Sequence, residues 1–61
     1  DNKMNVKEMA DIIASWSNDM VQNSEKQMEG NKAAGKRLRK ASIELRKACK
    51  VIRQMSLDLD N

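Results

Sequence analysis

In the second half of the chain Ala34, Leu38, Ala41, Leu45, Ala48, Ile52, Met55 and Leu59 succeed one another at alternating spacings of four and three residues. At about 3.6 residues per turn, an α-helix gathers such a set into one stripe, and a repeat kept up for about four heptads predicts a rod that must bury the stripe against a second helix. In the first half Val6, Met9, Ile13, Trp16 and Met20 follow the same alternation. It weakens at Asn23 and Gln27, where Met28 is placed to take over one step out of phase. Pro, Phe and Tyr are absent and β-branched residues sparse, so strands have little support.

Between the two stripes lies Glu29-Gly30-Asn31-Lys32, with a Gly suited to a left-handed helix end and an Asn suited to start the next helix. A reversal there brings together residues whose numbers sum to about 61, so that Met20 meets Ala41, Trp16 meets Leu45, Ile13 meets Ala48, Met9 meets Ile52 and Val6 meets Met55. The predicted fold is all-α, an antiparallel two-helix hairpin spanning about 4–29 and 31–58, with residues 1–61 forming one domain. Trp16 is expected in the core, the five Met residues as adaptable filler there, and Asp58 and Asp60 at a fraying end. Ile12, Val21, Ile43, Cys49, Val51 and Leu57 fall off the seam, and one hairpin cannot bury them all. A homodimer follows, as a four-helix bundle or coiled-coil assembly, with Ile43, Val51 and Leu57 at its second interface.

The charges are as polarised as the apolar residues are periodic. Formal net charge is only +3, yet residues 1–30 sum to −3 and residues 31–61 to +6. From Lys32 to Arg53 nine cations, Lys32, Lys36, Arg37, Arg39, Lys40, Arg46, Lys47, Lys50 and Arg53, stand against the single acid Glu44. With Leu38, Leu45 and Ile52 at heptad position a, Arg39, Arg46 and Arg53 take b, Lys40 and Lys47 take c, and Lys36 and Lys50 take f, all away from the seam. Solubility alone is usually met by mixed signs, whereas a one-sided basic face attracts polyanions through Coulomb forces and counterion release. The nine cations are therefore the candidate nucleic-acid-binding residues, with DNA as the expected partner and charge alone not separating it from RNA. Gly35, in the first turns of this helix, allows close approach of a partner helix or a phosphate strand.

Other chemistry is poorly supplied. His is absent, no base is available beside a Ser or Cys nucleophile, and Gly30 and Gly35 lack the spacing of a phosphate-binding loop, so an enzyme and a small-molecule substrate are not expected. One Cys and no His provide neither a disulfide nor a metal site, and no cofactor is implied. A lone thiol fits a reducing cytoplasm, no apolar run is long enough to cross a bilayer, and Met4 is a candidate native start behind Asp1-Asn2-Lys3. Two rivals to DNA binding stand open: a coiled-coil adaptor whose basic face docks an acidic protein, and a module on anionic lipid, against which the absence of Trp and Phe near the basic helix argues.

The run from Gly30 to Leu45, GNKAAGKRLRKASIEL, continuing through Lys50-Val51-Ile52-Arg53 to Ser56, resembles the N-terminal domain of the chlamydial linker-histone-like proteins and their short bacterial relatives. The shared frame is GNKAA, an Arg shortly after, Ser-Ile-x-Leu, then Lys-Val-x-Arg and a Ser; it covers about 27 of the 61 residues, all in the basic half. The resemblance implies a nucleoid-associated protein that binds and condenses DNA with little sequence preference, with Lys32, Lys36, Arg37, Arg39 and Arg53 as contacts. The 61 residues hold none of the long Lys-, Ala- and Pro-rich tail of the chlamydial members, so within them the helical domain itself has to bind.

Overall fold

Asn5 opens the first helix. Its Oδ1 accepts from the Glu8 N–H at 2.8 Å while Glu8 Oε1 accepts from the Asn5 N–H at 3.0 Å, a reciprocal capping box that satisfies donors a helix start leaves open. In the computed structural model, which describes residues 4–61, α1 then runs Val6–Met28. The expectation that Met4 is a native start concerns Asp1, Asn2 and Lys3, which lie outside the described residues.

The hinge forms at the expected Gly. Gly30 takes φ +101°, its N–H donates to the Gln27 carbonyl at 2.9 Å, and the Asn31 N–H donates to the Lys26 carbonyl at 3.0 Å. These two bonds close the helix end around a left-handed Gly. Asn31 at once becomes the N-cap of α2, Lys32–Asp60, its Oδ1 accepting from the Ala34 N–H at 3.0 Å. A single residue thus completes one helix end and starts the next helix, and a reversal this short forces the helices antiparallel. The last turn of α2 is helical through Asp60, two residues beyond the expected 58, with Gln54 Nε2 donating to Asp58 Oδ1 at 2.9 Å.

The two glycines respond oppositely to a methyl group. At Gly30 an added Cβ meets nothing within 4 Å, so only the left-handed backbone penalises it, by about 1–2 kcal/mol. At Gly35 an added Cβ would sit 2.6 Å from Gln27 Nε2, but that amide is the end of a flexible, exposed chain and can move. Ala is favoured over Gly inside a helix by about 1 kcal/mol. Gly30→Ala is therefore expected to lower the thermal midpoint by about 4–8 °C for each kcal/mol lost, and Gly35→Ala to hold or raise it, as followed by circular dichroism.

Three cross-helix observations fix the register. Arg37 Nε donates to Asn23 Oδ1 at 2.9 Å, the Gln27 amide closes on Gly35, and Met4, Asn5 and Val6 line a cleft with Met55, Asp58 and Leu59 at the open end. The first two pairs sum to 60 and 62, close to the expected 61, and the cleft sets the start of α1 beside the end of α2. Val6, Met9, Ile13, Trp16 and Met20 are half-buried against Leu38, Leu45, Ala48, Ile52 and Met55, with Ala34 and Ala41 buried among them. Small residues at these positions let the two backbones approach, as interdigitated packing requires.

The lower end of the seam is polar, where the sequence offered Met28. That side chain is 90 % exposed. Asn23 stays half-buried on the stripe: its Nδ2 donates to the Asp19 carbonyl at 2.9 Å, which turns Oδ1 toward Arg37. Beside it Ser24 Oγ donates to the Met20 carbonyl at 2.7 Å. One hydrogen bond across the helices, from Arg37 to Asn23, thus stands where the stripe loses its apolar contact before the hinge. Two further expectations are corrected. Leu59 keeps seam spacing but is exposed, because α1 begins at Val6, opposite Met55, and offers it no facing turn. Met4 is exposed as well as Met28, leaving Met9, Met20 and Met55 as the filler.

The hairpin is a rod of 47 × 17 × 15 Å, and among the described residues no large side chain is fully buried. Its accessible surface of 5054 Å² exceeds the ~4000 Å² expected for a compact monomer of 7.0 kDa. Ile12, Val21, Ile43, Cys49, Val51 and Leu57 are all exposed, as their off-seam positions require.

Candidate nucleic-acid interface

The seam turns one side of α2 toward α1, and the helical period then decides where the cations go. Positions b, f and c occupy the opposite side, f between the other two at about 100° per residue. Lys32, Arg39, Arg46 and Arg53 make the b row, successive members about 10.5 Å apart along the axis. Lys40 and Lys47 make the c row, and Lys36 and Lys50 stand between on f; every one of these side chains is exposed. One edge of the face is thus mainly arginine, whose planar fork suits bidentate phosphate contact, and the other is lysine. Glu44, the one acid of this segment, lies on g and is half-buried toward the α1 side, so it does not interrupt the face.

Helix stability does not account for this placement. α1 has Glu8 in its first turn and Lys26 in its last, the signs that the helix dipole favours. α2 has the reverse, with Lys32 at its start, no acid in the first turn, and Asp58 and Asp60 at its end. Nor are the cations neutralised by neighbours. Among the described residues Lys7 and Asp11 form the only ion pair, Nζ to Oδ1 2.6 Å, and it lies on α1. Among the described residues no cation of α2 has an acid within ion-pair distance.

The nine candidate DNA-binding residues do not all share one surface. Lys32, Lys36, Arg39, Lys40, Arg46, Lys47, Lys50 and Arg53 come together on the outer face. Arg37, on g, is turned toward α1 by its hydrogen bond to Asn23 and borders a groove with Trp16, Asp19, Lys40 and Ala41. Trp16 is shared between this groove and the seam. Gly35 is buried under Gln27, so of the two close approaches open to it the partner helix takes the place.

The three interface candidates are likewise separate. Ile43, Val51 and Leu57 are 48 %, 46 % and 54 % exposed, but Ile43 lies on f amid the cations, Leu57 on f beyond Arg53, the last of them, and Val51 on g, about 100° away. The sequence had set Ile43 apart as apolar without noting that it stands amid cations; its helical neighbours carried that signal. Among the described residues no group of three or more His, Cys, Asp or Glu is placed to hold a metal ion, and no helix is long and apolar enough to cross a membrane.

The chain is a thin antiparallel helical hairpin whose outer face is cationic. The family described as histone H1-like protein Hc1 matches residues 3–61, and the chain belongs to that family, a DNA-packaging and non-enzymatic kind of protein. No curated protein and no solved structure matches the chain.

Proposed function

We propose that the chain binds duplex DNA with little sequence preference through the outer face of α2, as an architectural protein of the nucleoid. The observation that carries this reading is the b, f and c face, where eight exposed cations gather with no acid partner among the described residues. Phosphates repeat along any duplex regardless of sequence, and ladders of Arg and Lys engage them without reading bases. Membership of the histone H1-like family supports the same ligand.

Self-association belongs to the proposal. The excess surface and the absence, among the described residues, of any fully buried large side chain leave a single hairpin with little stability of its own. Val51, whose helical neighbours Lys47, Ala48, Gln54 and Met55 include one cation, and Leu57, flanked by Arg53, Gln54, Asp60 and Asn61, are suited to meet a second copy. Two basic faces joined in one particle bind a long polyanion better than either alone.

Competition among scrambled duplexes of equal length, with phosphatidylserine vesicles and an acidic protein alongside, tests the reading. Near-equal affinity for all duplexes and far weaker binding to the vesicles and the protein is the expected result. Strong preference for one duplex, for the vesicles or for the protein would each replace it.

A further inference from the structure

Ile43 is the apolar centre of a cationic ring. On a helix the neighbours of residue i on the same face are i±3, i±4 and i±7. For Ile43 these are Lys36, Arg39, Lys40, Arg46, Lys47 and Lys50, and all six are cations. Ile43 itself is 48 % exposed, with no residue of α1 over it, because the seam lies on the other side of the helix.

Charge decides what can cover this side chain. A second copy meeting here would set two rings of six cations face to face, with Glu44 turned aside, and repulsion at that density opposes contact. The occupant must instead be strongly anionic around its edge and apolar at its centre. A DNA groove is built that way, with phosphates along both walls and base edges on the floor. The major groove, about 12 Å wide, admits a helix about 10–12 Å across, whereas the minor groove, about 6 Å wide, does not. Apolar matter on the major-groove floor is the 5-methyl group of thymine. From Lys36 to Lys50 the helix advances about 21 Å, well under the 34–36 Å of a DNA turn, so a straight helix can stay in the groove over that length.

Resting on the DNA-binding reading, we propose that α2 seats in the major groove with Ile43 against the floor, in contact with thymine methyl groups. The arginine row reaches the phosphates of one wall and the lysine row those of the other. α1 lies behind α2, clear of the duplex. The seat favours A·T-containing stretches weakly, through one apolar contact, and leaves phosphate binding as the main source of affinity.

The test compares wild type with Ile43→Ala on one A·T-rich duplex carrying thymine and on the same duplex carrying deoxyuridine, which lacks only the methyl group. Wild type should bind the thymine duplex roughly threefold to tenfold more tightly, and Ile43→Ala should lose that advantage. The slope of affinity against salt should be unchanged, since no charge is removed. Circular dichroism and sedimentation of both proteins accompany the titration. Equal binding by wild type and variant overturns the proposal, and so does a weaker variant when wild type ignores the methyl group. A loss of affinity that follows dissociation of a wild-type oligomer would place Ile43 between copies instead. Failure of wild type to bind either duplex at low salt would remove the DNA-binding reading itself, an outcome distinct from the others.

Discussion

Replacing Arg39, Lys40 and Arg46 together by Glu abolishes duplex binding while helix content and oligomeric state persist. Each replacement changes the charge by two, so the formal net charge passes from +3 to −3 with the whole change concentrated around Ile43. If about five phosphates are held, three contacts are lost and the same three positions now repel the ligand, which leaves the remaining cations unable to compensate. The fold is spared because these side chains lie on b and c, exposed and without an acid partner. The structural cost is confined to like-charge pairs at i, i+4, such as Glu at position 40 against Glu44, worth about 0.2–0.5 kcal/mol each. Gel shift, circular dichroism and sedimentation on one preparation measure all three properties. Binding that survives would place the site on α1 or the hinge, and an unfolded variant would mean that these positions pack.

The hairpin was legible because two independent sequence signals agreed. The heptad stripes called for a partner helix, and the Gly30-Asn31 turn set which partner and in what register. Arg37 on Asn23 and Gln27 on Gly35 then stand where that register puts them. What the apolar repeat could not disclose is how the seam ends. Asn23 reads as a loss of the stripe, since periodicity registers hydrophobicity and not the capacity of an amide to bond across two helices. Met28, apolar and out of phase, looked like the continuation and is nearly bare. Leu59 failed for a different reason: a heptad position buries its residue only where the opposite helix extends that far.

The basic face was legible for the same reason as the seam, because positions b, c and f follow once a and d are known. The exceptions are again cross-helix contacts. Arg37 counts among the cations in sequence but is partly engaged by Asn23, an arrangement that only the packed hairpin creates. Ile43, Val51 and Leu57 form one class by hydropathy and two by surroundings, since six cations ring Ile43 while Val51 and Leu57 each have one cation at i±3 or i±4.

Association of wild-type protein with a random-sequence duplex, followed as salt is raised, measures the central claim most directly. Binding driven by phosphate neutralisation releases condensed counterions, so the logarithm of affinity falls in proportion to the logarithm of salt concentration, with a slope of about −0.9 per phosphate. For about five phosphates, affinity drops by roughly 2.7 log units between 50 and 200 mM salt, close to five-hundredfold. A steep linear fall of that size, the same for scrambled duplexes, is the result expected of an exposed and unneutralised cationic face. A flat response to salt would contradict it.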